Sequence, residues 1–464
     1  SIDAVGLIEP LTIGKPDKTT GMHVLLDGHI RLFAMKQIGF KDAPCLVATD
    51  DETYTYNNRI NRLSTIQEHF MIRRAVERGV TPARLAQARA ALATGRPYDL
   101  LHVDRAEIDL PADTNPYSPL VYETAAKNLQ KLIADGILQR EAEPALYLYQ
   151  QVMDGRAQTG LIAACHIDDY GNDIIRKHEK TRQVKEDDRT NLVRALSAHT
   201  GPIFLTYRDR ADVNARIAAI LANEAPLFDF TAADGIAHKV WRVADPAPFV
   251  SAFAEVPFSY VADGHHRSAS AWRVGTERRA ANPNHTGNED YNWFLGVLFP
   301  AQELKILPYN RAVLDLNGLD PREFLAGLES TGFRRTETTQ KTPTAPASVC
   351  MYFQGKWHLL SWDTAFLNDP VESLDVSVLQ SRILAPLLGI DDPRTNDRIE
   401  FIGGIRGTAE LEKKVDSGHA AVAFSMYPTT VDQLMAIADA GQIMPPKSTW
   451  FEPKLRSGLV VQTF

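Results

Sequence analysis

Cysteine is scarce: there are three in 464 residues, Cys45, Cys165 and Cys350. They stand far apart and form no metal-ligand spacing, a pattern that suggests a reducing compartment. No apolar run reaches membrane-spanning length. The first residues show no basic segment followed by an apolar one, as a signal peptide would. An excess of positive charge is also missing. The formal net charge of −8 argues against a surface that binds nucleic acid all over, while leaving room for a local basic groove. The expectation is a soluble, cytoplasmic protein with no membrane partner. What is present is ordinary globular material, 44% hydrophobic and 23% charged, enough for a full core. The length suits two or three domains.

One stretch organises the rest. Tyr260-Val261-Ala262 is apolar, Asp263-Gly264 follows, and His265-His266-Arg267-Ser268-Ala269-Ser270-Ala271 opens a helix of small residues. The pattern predicts a strand, a tight turn at Gly264 and a helix N-terminus. Free N–H groups of a first helical turn make an anion site, and His265, His266, Arg267 and Ser268 add donors there. Asp263 supplies a carboxylate to hold a Mg²⁺ between phosphates or to orient a histidine. The plain alternative is a helix cap. A second copy favours function. Leu25-Leu26-Asp27-Gly28-His29-Ile30-Arg31 and the residues to Gly39 align without gaps with Val261 to Gly275. In both, the final glycine reads as a helix stop.

Two further stretches carry candidate chemistry. In His178-Glu179-Lys180-Thr181-Arg182-Gln183-Val184-Lys185-Glu186-Asp187-Asp188-Arg189, a helix would put His178, Thr181, Arg182, Lys185 and Arg189 on one face. The plain reading is a solvated, salt-bridged helix. A phosphate clamp beside a carboxylate base, Glu179, is the arrangement that phosphoryl transfer to a hydroxyl needs. Near the C-terminus, Lys447, Ser448 and Thr449 offer an ammonium and two hydroxyls to a phosphate or a substrate carboxylate; a rigid, proline-bounded closure of the chain is the equal alternative. Tyr309 and Asn310 follow a strand and are candidates for the same cleft, with core packing the plain alternative for Tyr309. No glycine-rich loop precedes Lys447, so it is not a Walker motif. No Cys/His grouping has zinc spacing.

Local signals outline the elements. Tyr117 to Asp135 predicts a helix, with Val121, Ala125, Leu129, Leu132 and Ile133 on one face and Gly136 at its end. Leu146 to Val152 and Thr159 to Ile167 predict strands around an Asp154-Gly155 hairpin turn. Pro202–Tyr207 and Asn292–Phe299 read as buried strands, and Thr338–Ser348 as a loop. In the first 90 residues, Ile8–Ile13 and Ala43–Ala48 read as short strands. Ser64 with Gln67 makes a capping box, and Gly79 to Ala86 looks like the opening of a helix-turn-helix.

The Asp-Gly-His-x-Arg turn resembles the signature of the ParB/sulfiredoxin-like superfamily. Residues 1–90 resemble the N-terminal domain of a ParB/RepB-type partition protein, in which Asn61 and Arg62 fall in the box that contacts nucleotide phosphates. From about 91 to 464 the chain resembles the domain-of-unknown-function family 1015. This rests on Leu101–Leu110, His178–Arg189, Asp263–Arg267, Leu307–Arg311 and Met444–Phe451. That family's Ala-Pro-Pro-Tyr-Asp-like opening is not found, so the chain reads as a fusion. The expected class is α+β: two ParB/sulfiredoxin-like units plus a C-terminal α/β region, divided as 1–90, 91–325 and 326–464. The resemblance implies nucleotide-gated DNA clamps, sulfinate phosphorylation or kinases of free serine. His265 stands where sulfinate chemistry places a cysteine, which removes the second. The leading expectation is a Mg²⁺-dependent kinase using ATP, ADP or CTP on a small hydroxyl substrate such as L-serine. The alternative is a CTP-binding regulator or DNA-partition module. DNA through residues 1–90 and a second copy of the chain are the macromolecular partners this reading admits.

Overall fold

The computed structural model describes residues 11–13, 25–27, 45–47, 90, 93, 95–364 and 368–464. Gly28, His29, Arg31, Asn61 and Arg62 lie outside these residues, as do the capping box at Ser64, the helix-turn-helix opening and Gly39. The chain divides into two compact units.

The first unit takes residues 1–143 with 191–198 and 229–238. Strands β1 (Leu11–Ile13), β2 (Leu25–Asp27) and β3 (Cys45–Val47) form a sheet of order β2-β1-β3. β2 runs antiparallel and β3 parallel to β1. Asp27 is the last residue of β2, the position Asp263 holds in its own strand. Helix α1 (Pro119–Ala134) starts with proline in its first turn, where a missing N–H costs nothing. Gly136 follows it at φ +72°. Val121, Ala125, Leu129 and Leu132 are buried as expected; Ile133 is instead 41% exposed. The Leu101–Leu110 stretch is a support for α1. The Asn128 amide donates to the His102 carbonyl at 2.6 Å and to Asp109 at 2.8 Å.

The second unit takes 144–190, 199–228 and 239–464. β4 (Tyr147–Met153) and β5 (Arg156–His166) are joined by Asp154-Gly155, both at positive φ, 52° and 76°. This is the two-residue hairpin turn the Asp-Gly pair predicts. After β6 (Ile175–Arg176) come α2 (Gln183–Leu196), whose residues from 191 on are counted with the first unit, β7 (Ile203–Tyr207), β8 (Ser259–Asp263), α3 (His265–Ala281) and β9 (Trp293–Pro300). From one edge, six strands of an eight-stranded sheet run β6-β8-β7-β9-β5-β4. It is mixed: β8 is parallel to β6 and antiparallel to β7, and β9 is parallel to β7 and antiparallel to β5. Val261, Phe294, Val297 and Phe299 are fully buried, matching continuous apolar runs in strands covered on both faces.

A six-stranded sheet follows. Its strands are β10 (Tyr309–Val313), β11 (Arg334–Thr338), β12 (Ser348–Phe353), β13 (Lys356–Ser361), β14 (Ile399–Gly403) and β15 (Val422–Met426). The order is β11-β13-β12-β15-β10-β14, and every pairing is antiparallel. The expected α/β character of this region is therefore corrected to α+β. β12 and β13 are joined by Gln354-Gly355, at φ 49° and 77°, too short for the crossover a parallel pair needs. The Thr/Pro-rich stretch is a loop between β11 and β12, as predicted. Among the described residues, no helix is long and apolar enough to cross a membrane.

Candidate functional site

Strand β8 ends on Asp263 and α3 starts at His265, leaving Gly264 alone to make the turn. Gly264 stands at φ +99°, a conformation a Cβ would strain. No side chain caps α3. Instead Asp263 Oδ1 accepts the Gly264 N–H at 2.8 Å, one residue ahead of the helix. Intrahelical bonding begins with Ser268 N–H to the Gly264 carbonyl, so the N–H groups before it have no partner within the helix. Ser268 is fully buried, and its hydroxyl turns back to the same carbonyl at 3.3 Å. It holds the first turn rather than facing outward. The helix does not stop at Gly275, as its glycine suggested, but runs on to Ala281. A Cβ at Gly275 would stand 2.5 Å from the Tyr291 carbonyl and 2.6 Å from Ile167, so close packing explains that glycine.

The second stretch also departs from expectation. α2 begins at Gln183, and His178 to Arg182 precede it as a loop. The one-face grouping of His178, Thr181, Arg182, Lys185 and Arg189 therefore does not hold. The backbone of this loop is tied to other elements. The His178 carbonyl accepts from Met444 N–H at 2.9 Å, and the Arg182 N–H donates to His266 Nε2 at 3.0 Å. That bond keeps His266 neutral at Nε2. The first turns of α2 dock on α3 through Arg273–Asp187 at 2.6 Å and the Ser270 hydroxyl to the Glu186 carbonyl at 3.2 Å.

The loop and the turn meet. The His178 and His265 rings stand edge to face, 4.6 Å apart at 88°. His265 Nδ1 lies 3.9 Å from Glu179 Oε2. Both histidines are buried, whereas 58% of the Glu179 side chain faces solvent. Burial pushes His265 down to about 4, against the pull of Asp263. Burial and the neighbouring His265 hold His178 well below the usual imidazole range, with Asp263 and then the nearby Val261 carbonyl only partly offsetting them. Both are neutral at pH 7. Loss of surrounding water raises the Glu179 carboxyl, opposed by Lys447 and added to by Asp263. Burial pulls His266 down, and Arg189, Arg182 and Lys185 add to it while Glu186 opposes. Those cations therefore gather around the turn.

Lys454 was not foreseen. Its ammonium meets Asp263 Oδ2 at 2.8 Å. Burial alone would raise Asp263, but Lys454, Arg267 and His265 carry it well below the ordinary carboxylate range. Nearby Glu452 is buried, and its Oε1 accepts the Trp450 indole N–H at 2.6 Å. The only advance signal was position, since Lys454 falls in the same stretch as Lys447. That stretch runs from His178, bonded to Met444, to Asp263, bonded to Lys454. Between them the Lys447 ammonium lies 5.5 Å from the Tyr309 ring centroid. Asn310 is buried, and its Oδ1 accepts the Met426 N–H at 2.9 Å. The Ser448 hydroxyl, also buried, donates to the Pro445 carbonyl at 2.7 Å. Those two side chains are engaged in the fold. Arg267 donates to the Pro202 carbonyl at 3.0 Å and is otherwise exposed. Beyond Lys447, a cleft of about 390 Å³ is lined by Met444, Pro445, Pro446, Val376, Gln380 and Arg311, among others. Burial lowers Arg311 to about 10, still cationic at pH 7.

The protein family described as "Protein of unknown function (DUF1015)" matches residues 84–377. The chain belongs to this family. Free serine kinase in complex with AMP is 13% identical over 62% of this chain and 86% of its own, with a TM-score of 0.33. A conserved hypothetical protein from Pyrococcus furiosus is 14% identical over 64% and 93%, at 0.32. SbnI with C-terminal truncation from Staphylococcus aureus is 13% identical over 65% and 87%, at 0.34. Likenesses this distant carry no functional argument. No curated protein matches the chain.

Proposed function

We propose that the protein is a nucleotide-dependent phosphotransferase acting on a small hydroxyl substrate, with free L-serine the first to test. The observation that carries this is the meeting of the His178–Glu179 loop with the Asp263–Ser268 turn, in a neighbourhood that also gathers Lys447 and Lys454. The uncapped start of α3 and the cations Arg267, Lys185 and Arg189 suit the phosphates of ATP or ADP. His266, neutral, would donate through its other ring nitrogen. Glu179, solvent-facing beside the turn, would take the proton of the substrate hydroxyl. The hydroxyl oxygen then bonds the terminal phosphorus, the bond from that phosphorus to the bridging oxygen breaks, and the shortened nucleotide leaves with it. Thr449 and Tyr309 are the substrate-side candidates.

Mg²⁺ does not fit Asp263 as it stands. Both carboxylate oxygens are taken, by Gly264 N–H and by Lys454. The ligand group that is assembled, His178, Glu179 and His265, is rich in nitrogen, whereas Mg²⁺ prefers oxygen. No step is therefore assigned to a protein-held Mg²⁺. The test is nucleotide consumption with ATP, ADP or CTP as the Mg²⁺ complex, with and without L-serine, in wild type, Asp263→Ala and Arg31→Ala. Serine-dependent turnover lost in Asp263→Ala is the expected result. CTP turnover stimulated by DNA, kept in Asp263→Ala and lost in Arg31→Ala, would move the function to the N-terminal copy of the turn.

A further inference from the structure

The two buried histidines present a problem that phosphate binding does not solve. Among the described residues, neither ring nitrogen of His178 meets a partner in good hydrogen-bond geometry, the Val261 carbonyl being only a near neighbour, and His265 Nε2 has none. The two side chains are 1% and 6% exposed. Buried polar atoms without partners are costly, and each asks for a reason. One explanation satisfies the cluster: a ligand that accepts electron pairs from imidazole nitrogens and from a carboxylate at once.

We infer that His178, Glu179 and His265 form a binding site for a divalent transition-metal ion, with Zn²⁺ the best match. The donor atoms lie within 4.8 Å of one another. Donors held at roughly 2.0–2.2 Å by a tetrahedral ion stand about 3.4 Å apart, so side-chain movements of about an ångström close the site. Two imidazoles and one carboxylate are a borderline donor set, suited to Zn²⁺, Co²⁺ or Fe²⁺ and poorly suited to Mg²⁺ or Ca²⁺. Three protein donors leave a position for water or an incoming ligand, as catalytic zinc sites do. That position would open on the solvent side, since Glu179 is the exposed member of the three. The edge-to-face rings let both imidazoles reach one ion without stacking.

The sequence hid the group because His265 comes far along the chain from His178–Glu179, in a different element. The inference shares all three residues with the neighbourhood of the proposed phosphotransfer but does not depend on it. A carboxylate that ligates through Oε2 keeps its other oxygen to accept a proton.

The experiment is metal binding by the full chain, stripped with chelator, without nucleotide. Zn²⁺ is followed by calorimetry and Co²⁺ by its visible absorption. Expected are one ion per chain, ligand-field bands for Co²⁺, and no displacement by excess Mg²⁺. Glu179→Gln, at an exposed side chain, should keep the fold by circular dichroism and weaken binding by at least the roughly 10–100-fold that losing a mere partner of a ligand costs. His265→Asn should abolish the bands. No uptake by the folded wild type would overturn the inference. So would the same stoichiometry and spectrum in Glu179→Gln and His265→Asn.

Discussion

Gly264 is the residue on which the turn depends. Its positive φ is the requirement, not space, because a Cβ would meet Ile203 no closer than 3.7 Å. Gly264→Ala should therefore cost about 1–2 kcal/mol of stability through backbone strain, measured by urea unfolding, and should reduce nucleotide affinity by tilting the start of α3. A second residue tests the electrostatics of the core. Asp375 is buried, with Oδ1 accepting the Ala347 N–H at 3.0 Å and Oδ2 without a partner. Burial raises it from 3.8 to about 7. The folded state thus holds this proton more tightly than the unfolded state. The resulting stabilisation is complete below about pH 4 and is lost as pH rises toward 7, by up to about 4 kcal/mol. Asp375→Asn keeps an acceptor for Ala347 and removes the ionisation. Unfolding midpoints at pH 5 and pH 8 should lie closer together in the variant; an unchanged gap would contradict the assignment. At this scale the strand–turn–helix pattern of Asp263, Gly264, His265 and Arg267 was legible in the sequence, whereas the approach of Glu179 to that turn was not. The sequence was silent on Lys454 and Glu452, whose partners come from distant segments.

At the scale of elements, hydrophobic period and turn chemistry read well. The Asp154-Gly155 hairpin, α1 and the buried strands β7 and β9 fall within a few residues of expectation. The His178–Arg189 run did not, for a physical reason. Its helical charge pattern begins at His178, but the backbone at 178 and 182 is bonded to Met444 and His266, so helix formation waits until Gln183. Tertiary bonds overrode a local pattern. The same displacement makes His178 and Glu179 available to the turn. Where local chemistry does decide a terminus, its contribution is measurable. Helix α4 (Pro321–Ser330) opens with a capping box, Asp320 accepting from Arg322 and Glu323 N–H while Glu323 accepts from Asp320 N–H. Asp320→Ala should lower stability by about 1 kcal/mol, read as a shift in the denaturation midpoint.

At the scale of the molecule, an α+β class was legible but the type of the second sheet was not. The region was expected to be α/β; pairing across β10 to β15 is antiparallel throughout. Order along the chain does not state which strand lies beside which. The C-terminal stretch shows the consequence most clearly: residues 444 to 454 bring Lys454 to a turn almost two hundred residues earlier. The central claim is that this assembled neighbourhood transfers a phosphoryl group, with Glu179 as the proton acceptor. The most direct measurement is ³¹P NMR of nucleotide and L-serine incubated with wild type and Glu179→Gln, alongside nucleotide affinity by calorimetry. The account predicts a phosphomonoester signal with wild type. It predicts loss of at least roughly 10²-fold in its rate with Glu179→Gln, and nucleotide affinity kept within a few-fold. An equal rate of phosphoserine formation in Glu179→Gln, or no phosphomonoester from a wild type that binds nucleotide, would contradict it.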